Sequence, residues 1–209
     1  MSIYLYIIVI IVSYLIGSIP TAYLVVKRFA NKDVTRLGSG NIGTMNVHRA
    51  TESKPLTALV LGGDLAKGAI AILLAKMLLS SSPSAPIFTG AASVLGHNYS
   101  IYMGFKGGRG LATAAGALIV LNPFILLIWL VLWIGPYLLS KILVVGTLAA
   151  TVLTPVVTYV LNFTQTEFTL TIVIAFIVMV KHISKIKKLI EGTEPKRYWK
   201  VRGEDDQTA

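Results

Sequence analysis

The sequence predicts an all-α, polytopic integral membrane protein with about seven transmembrane helices, and three observations support this fold class. Of the 209 residues, 55% are hydrophobic and only 13% are charged, about half the charged fraction of a soluble domain. The hydrophobic residues form long runs suited to membrane-spanning helices. The net charge of +10 comes from cations in short segments between these runs. This distribution follows the positive-inside rule and does not indicate a nucleic-acid partner.

The first predicted span covers residues 3–26 and contains a Gly-Ser-Ile-Pro sequence at residues 17–20. Proline removes a helical hydrogen bond, so we expect a kink or break at Pro20. The run is too long for the core of a signal peptide and no Ala-x-Ala cleavage site follows it, so we interpret it as an uncleaved helix. Lys27 and Arg28 come next, and they predict that this end is cytoplasmic and that the N-terminus is outside.

The second predicted span, residues 56–79, carries two ionisable side chains at membrane depth. Asp64 and Lys67 are three residues apart and therefore share one face of a helix, where they can form an ion pair. Ionisable groups within a membrane are rare and usually face the interior of the helix bundle. We expect a structural ion pair here, with catalysis as the alternative role.

The remaining predicted spans are residues 86–97, 111–121, 123–139, 142–161 and 168–181. Residues 111–121 are short for a full crossing, which needs about 20 residues, so this helix is tilted, partly buried or re-entrant. The strongly basic segments all fall on one side of the membrane, and this distribution predicts a cytoplasmic C-terminus. We expect one domain over residues 1–209, with a disordered polar tail at about residues 203–209.

A glycine-rich basic loop, Gly104–Gly110, lies between two apolar runs. It contains four glycines, Lys106 and Arg109, and no acidic residue. Glycine lets a ligand approach the backbone closely, and successive N–H groups in such a loop form a concave anion site. The helix that follows adds the positive end of its dipole. We therefore predict a phosphate-binding loop. The alternative is a solvated basic loop that only fixes the orientation in the membrane.

Two other polar segments are predicted at the same membrane surface. Residues 38–49 form a second glycine-rich turn, too polar to face lipid, for which a flexible connector is the alternative. The third segment, residues 182–194, begins with a histidine where the last helix leaves the bilayer. We interpret Lys187 and Lys188 as part of an interfacial helix on anionic lipid. Glu194 is expected to anchor one of the cations of this segment or to keep the C-terminal loop from fraying.

Several kinds of chemistry are disfavoured by the composition. The chain has no cysteine, and its three histidines are far apart in sequence, so we expect no disulfide, no metal site and no cofactor. No carboxylate is placed behind a histidine in these motifs, which argues against a hydrolytic triad. The three polar segments together predict a site for a phosphorylated ligand that opens sideways to lipid.

Such a site is compatible with an interfacial enzyme, with a phosphate-ester transporter or lipid scramblase, and with a regulatory lipid-binding subunit. A transporter needs polar groups along its whole path, whereas the outer halves of the predicted helices are mostly apolar. The clustering of polar residues at one membrane surface favours the interfacial enzyme.

The order of these motifs resembles that of the bacterial acyl-phosphate:glycerol-3-phosphate acyltransferase family. The resemblance covers nearly the whole chain and rests on residues 17–20, 38–49, 64–68, 96–113 and 182–194. It implies a seven-helix protein of the plasma membrane with its site on the cytoplasmic side. It also implies that an acyl phosphate donates its acyl group to the 1-hydroxyl of glycerol 3-phosphate, without a metal, and we expect a monomer.

The resemblance also implies roles for individual residues. It implies catalytic roles for Ser39, Arg49, Lys106 and His182. The other implied site residues bind substrate or phosphate, and they are Gly38, Gly40, Asn41, Gly43, Asn46, His97, Gly107, Gly108, Arg109, Gly110, Thr113, Lys185 and Glu194.

The chain departs from the family pattern at several positions. Thr44-Met45 stands where the family usually has Ala-Thr, and Val144 replaces a serine. Lys185 occupies the place of an asparagine, and its ammonium group is a candidate to bind phosphate instead of the lost amide. These departures leave open a different phosphorylated polyol as the acceptor.

Overall fold

The computed structural model describes residues 2–195, so the predicted disordered tail at about residues 203–209 lies outside the described residues. The described part of the chain contains nine α-helices. They are α1 (Ile3–Ser18), α2 (Thr21–Ala30), α3 (Thr44–Thr51), α4 (Lys54–Leu78), α5 (Ala85–Asn98), α6 (Leu111–Leu121), α7 (Pro123–Ser140), α8 (Leu143–Val160) and α9 (Gln165–Ile190).

Five segments of the described chain are long and apolar enough to cross a membrane. They are Ile3–Ala30, which joins α1 and α2, and helices α4, α7, α8 and α9. Helices α5 and α6 have 14 and 11 residues and therefore rise only about 21 and 16 Å, less than the roughly 30 Å of a bilayer core. The predicted all-helical membrane fold is confirmed. The count of seven crossings and the orientation of the termini stay predictions.

The predicted break at Pro20 is present. Helix α1 ends at Ser18, and α2 begins at Thr21. Just before the break, α1 packs closely on α5. Gly17 lies so near the backbone of Ser93 that a Cβ at this position would overlap it. Glycine at this position therefore allows the short distance between the two helices.

Helix α6 packs against α4 through small residues. A Cβ on Gly68 of α4 would overlap the backbone of Thr113, and a Cβ on Gly116 of α6 would overlap the backbone of Leu65. The start of α6 therefore lies beside the middle of α4. Asp64, in this middle part, is about 15 Å of helix rise from the first residue of α4, Lys54. The loop before α6 therefore lies beside the middle of α4 and not beside its first turn.

Two apolar clusters hold the helices together. One is built around α4, α5, α6 and α9 and contains Ile72, Val94 and Leu170, all fully buried. The other is built around α2, α3 and α4 and contains Val26 and Val47. Burial of these side chains is favourable by about 1.5–3 kcal/mol each. It fixes α3 and the loop before it against α4.

Helix α9 extends beyond the predicted span at 168–181. It begins with a capping box, in which Thr164 and Glu167 satisfy each other's backbone N–H groups, and it continues without a break to Ile190. The hydropathy falls at Lys181, and the sequence therefore predicts the end of the span there. The helix continues past this point, and Lys185 in its last turns forms an ion pair with Glu194. His182 and Lys185 therefore lie within a regular helix.

Candidate active site

A cavity of about 580 Å³ lies between α4, α6, α7, α8 and α9 and reaches α3 at its polar end. Its size falls within the range of small-molecule sites, about 300–1,000 Å³. The lining is polar at one end and apolar along α6 to α9. The residues of the polar end are Ser39, Asn41, Thr44, Asn46, Arg49, Asp64, His97, Arg109, His182 and Lys185, and the threonines Thr151, Thr154 and Thr171 lie along the remaining, mostly apolar part. The arrangement suits a ligand with a charged head and an apolar tail.

Asn46 holds the loop that contains Ser39. The Asn46 Oδ1 atom accepts hydrogen bonds from the backbone N–H of Ser39 at 2.8 Å and from its hydroxyl at 3.2 Å. The Asn46 Nδ2 group donates to the carbonyl oxygens of Val34 and Leu37 at 3.2 and 3.0 Å. Gly38 has φ +57°, which lets the chain turn next to this amide. Asn46 therefore positions Ser39, whose exposed side chain faces the cavity.

Two arginines from different elements supply positive charge to the polar end. Arg49 lies in the last turn of α3, and Arg109 lies just before α6. Loss of surrounding water lowers the pKa of each guanidinium, and for Arg109 the neighbouring Arg49 lowers the pKa further. The carboxylate of Glu194 raises the pKa of both. Both arginines stay charged near neutral pH, so the cavity end attracts anions.

The glycine-rich loop is docked on the end of α5. The Gly108 N–H donates to the carbonyl oxygen of His97 at 3.0 Å. A Cβ on Gly107 would overlap the backbone of His97 and Asn98, and a Cβ on Gly108 would overlap the His97 imidazole. Gly110 has φ +81°, in the left-handed region that favours glycine. From the sequence, these glycines are expected to allow the close approach of a ligand. The structure shows that they are also required for contact with α5.

The described chain contains a carboxylate beside a histidine, a pairing that was not predicted from the sequence motifs. The Asp64 Oδ1 atom on α4 lies 2.7 Å from Lys67 Nζ and 3.5 Å from His97 Nδ1 on α5. All three side chains are buried. The predicted Asp64–Lys67 pair is therefore confirmed, and His97 joins it. No local sequence pattern links residues on two different helices. The available signal was the presence of ionisable groups at membrane depth.

His182 is held in one orientation by its own helix. Its Nδ1 atom lies 2.8 Å from the carbonyl oxygen of Val178, and the side chain is buried. Because a carbonyl oxygen only accepts, Nδ1 carries the proton and donates this hydrogen bond. In the neutral ring, Nε2 is then an acceptor. His182 lines the cavity, so this acceptor is a candidate partner for a substrate hydroxyl.

Lys185 forms an ion pair with Glu194. The Lys185 Nζ atom lies 2.6 and 2.7 Å from the two carboxylate oxygens, and the Glu194 side chain is fully buried. The chain reverses at Gly192, which has φ +69°, and the Glu194 N–H donates to the carbonyl oxygen of Lys188. The expectation that Glu194 anchors a cation of this segment is confirmed. This contact also supports the last turns of α9.

The structure brings most of the predicted site residues to the cavity. The predicted residues in its lining are Ser39, Asn41, Gly43, Asn46, Arg49, His97, Arg109, Gly110, His182 and Lys185. Lys106 is exposed and lies outside the lining. Gly38, Gly40, Gly107, Gly108 and Glu194 shape the loops around it, and Thr113 is buried between α6 and α4. Asp64 and the apolar residues Trp129 and Val144 also line the cavity, and the sequence analysis did not assign the first two to the site.

The fold and the cavity define an integral membrane protein with a cationic site joined to an apolar cavity. The chain matches the family described as "Glycerol-3-phosphate acyltransferase" over residues 7–192. A protein of that name from Neisseria meningitidis serogroup C is 39% identical over 188 residues, which cover 88% of this chain and 94% of that protein. "Glycerol-3-phosphate acyltransferase 2" of Moorella thermoacetica is 36% identical over 192 residues, which cover 92% and 97%.

Solved structures give the same result. A crystal structure of PlsY, described as an integral membrane glycerol 3-phosphate acyltransferase in its glycerol 3-phosphate form, superposes with a TM-score of 0.81 and 32% identity, covering 92% of this chain and 95% of that chain. Its lysophosphatidic acid form has a TM-score of 0.80 at the same identity, with coverage of 91% and 94%. The chain belongs to the glycerol-3-phosphate acyltransferase family.

Proposed function

We propose that the protein transfers an acyl group from an acyl phosphate to the 1-hydroxyl of glycerol 3-phosphate, giving lysophosphatidic acid and inorganic phosphate. The observation that carries this proposal is the cavity itself, with arginines and a lysine at one end and apolar side chains along α6 to α9. An acyl phosphate has a charged head and an apolar chain, and this cavity matches both parts. Family membership supports the acceptor.

The proposed reaction needs little acid–base chemistry from the protein. The oxygen of the 1-hydroxyl forms a bond with the acyl carbon, and the bond between that carbon and the phosphate oxygen breaks. The hydroxyl proton goes to an oxygen of a substrate phosphate. Because phosphate is a good leaving group, positioning of the substrates and neutralisation of their charge supply most of the rate.

The charged residues at the polar end are suited to these two tasks. Arg49, Arg109 and Lys185 face the phosphate groups, with Glu194 holding Lys185 in place. Ser39 contacts the reacting centre, and the Nε2 atom of His182 accepts a hydrogen bond from the acceptor. Lys106, exposed at the loop, attracts the anionic substrates toward the cavity.

Transport is disfavoured by the closed outer end of the cavity. The lining extends outward as far as Leu126 on α7, Thr154 on α8 and Thr171 on α9. At this level the Thr158 and Thr171 hydroxyls lie 3.3 Å apart, and the neighbouring side chains of Ile125 and Leu170 are fully buried. A packed layer of this kind does not provide a path through the membrane, so it supports an enzyme with access from one side.

We further propose that the polar end faces the cytoplasm of a multi-pass plasma-membrane protein. Lys27, Arg28, Lys54, Lys187 and Lys188 lie at the helix ends nearest this side, as the positive-inside rule requires. We also propose that the chain forms a single domain and acts as a monomer.

The test is acyl transfer by the purified protein in detergent with palmitoyl phosphate as the donor. Glycerol 3-phosphate is compared with glycerol and glycerol 1-phosphate, and both phosphate release and lipid product are followed. We expect lysophosphatidic acid only with glycerol 3-phosphate, and a large loss of rate in Ser39→Ala and Lys106→Ala. Lys141→Ala, a change of an exposed lysine between α7 and α8, is the matched control. Donor turnover without acylated glycerol 3-phosphate contradicts the acceptor, and no turnover at all contradicts the proposed reaction.

A further inference from the structure

The buried cluster of Asp64, Lys67 and His97 has no part in the proposed chemistry. Its members are 1%, 5% and 6% exposed and lie within the helix bundle. Charged groups at this depth lose their hydration, and an ion pair there is often no more stabilising than apolar residues of the same volume. The cluster therefore calls for an explanation other than stability.

His97 connects this cluster to the glycine-rich loop. One edge of its ring, Nδ1, lies 3.5 Å from Asp64, and the other edge, Nε2, lies against Gly108, where a Cβ would overlap it. The carbonyl oxygen of the same residue accepts the Gly108 N–H at 3.0 Å. The position of Gly108 therefore depends on how the His97 ring is turned, and Asp64 is the acidic group next to that ring.

We propose that Asp64 is a positioning residue: through the imidazole of His97 it fixes the loop Gly107–Gly110 in the shape that binds phosphate. Lys67 neutralises Asp64 and keeps the carboxylate in place at 2.7 Å. The inference rests on the proposed role of this loop in binding a substrate phosphate. It adds to that role a residue on a different helix, α4.

The test uses inorganic phosphate, the product of the reaction, as the probe of the loop. Asp64→Asn removes the negative charge next to His97 Nδ1, so the ring is held less firmly. The inhibition constant for phosphate is therefore expected to rise roughly tenfold, while kcat changes less. The matched control is Glu167→Gln, which makes the same change from carboxylate to amide at the outer end of α9, where Glu167 accepts a hydrogen bond from Asn122. The control is expected to lower thermal stability and to leave phosphate inhibition unchanged.

A double-mutant cycle decides whether Asp64 acts through His97. If it does, Asp64→Asn combined with His97→Ala has the same phosphate inhibition constant as His97→Ala alone. The proposal is overturned if the effects of the two substitutions on the phosphate inhibition constant multiply. It is also overturned if the Asp64→Asn variant loses stability but keeps the phosphate inhibition constant of the unsubstituted protein. Because Asp64→Asn leaves Lys67 unpaired, the combination with Lys67→Met serves as a second variant if the first does not fold, with the same expected rise.

A second substitution distinguishes a failure of the Asp64 proposal from a failure of the proposed phosphate-binding role of the loop. Arg109→Ala changes the loop itself, in a residue that lines the cavity, and leaves the cluster intact. If Arg109→Ala and Asp64→Asn both weaken phosphate inhibition, both proposals are supported. If only Arg109→Ala does so, the loop binds phosphate and Asp64 has no positioning role. If Arg109→Ala leaves phosphate inhibition unchanged, the proposed role of the loop fails first.

Discussion

Substitution of the loop glycines by alanine tests whether these residues are required by the docking of the loop on α5. A methyl group on Gly107 meets backbone atoms, the carbonyl oxygen of His97 and the peptide of Asn98. A methyl group on Gly108 meets the His97 ring, a side chain that can shift further than backbone atoms can. Backbone atoms can move aside less than the atoms of a side chain can. We therefore expect Gly107→Ala to be more damaging than Gly108→Ala.

The size of the effect follows from the cost of adding a methyl group to a packed site. Overpacking typically costs 1–3 kcal/mol, and the upper end, about 3 kcal/mol, applies to Gly107→Ala because its obstacle is rigid. For Gly108→Ala we expect about 1–2 kcal/mol. Gly62→Ala is the matched control. Gly62 lies in α4 with no neighbouring atom within 4 Å of a new Cβ, so alanine there is neutral or stabilises by up to about 1 kcal/mol.

The assay measures thermal stability in detergent and phosphate release from palmitoyl phosphate for the three variants side by side. If the glycines are required for docking on α5, stability and activity fall together in Gly107→Ala, to a smaller degree in Gly108→Ala, and not in Gly62→Ala. Suppose that Gly107→Ala keeps its full stability and loses only phosphate binding. The glycine would then serve ligand approach alone, and the argument from the α5 contact would be refuted.

Three further predictions concern other parts of the site. Glu194→Gln removes the buried charge that pairs with Lys185 and is expected to cost about 2 kcal/mol, seen as a lower melting temperature; an unchanged value would show that the pair contributes nothing. Asn46→Ala removes four hydrogen bonds and frees the Ser39 loop, so kcat should fall by about tenfold or more, whereas an unaltered kcat would contradict the positioning role. Ala115→Phe fills part of the apolar cavity and should shift the preferred acyl phosphate to shorter chains in a competition assay; an unshifted chain profile would place the acyl chain elsewhere.

The sequence predicted those parts of the fold that depend on local patterns. Hydropathy predicts a span wherever a helix has a long apolar stretch, and so α4, α7 and α8 match their predicted ranges closely. The break at Pro20 follows from the chemistry of proline. In contrast, the unbroken course of α9 to Ile190 depends on Glu194 reaching back to Lys185, a contact that hydropathy does not contain.

The sequence also predicted only the part of the site that depends on local patterns. Ser39, Arg49, Arg109 and His182 were found because they belong to short polar segments, and the structure brings them to one cavity. The contact between Asp64 and His97 was not found, because it depends on how α4 packs beside α5. The apolar half of the cavity was also missed. A residue such as Trp129 looks in sequence like any other apolar residue of a membrane helix.

The short helices α5 and α6 explain why the charged site is placed inside the bundle. Because α5 rises only about 21 Å and α6 about 16 Å, the loop between them does not reach the level at which α4 begins. Arg109 is therefore partly shielded from water, and burial lowers its pKa. Interactions between charges are stronger where water is excluded. In the proposed reaction, the same short hairpin that puts the loop beside the apolar cavity thus also increases the attraction of its cations for phosphate.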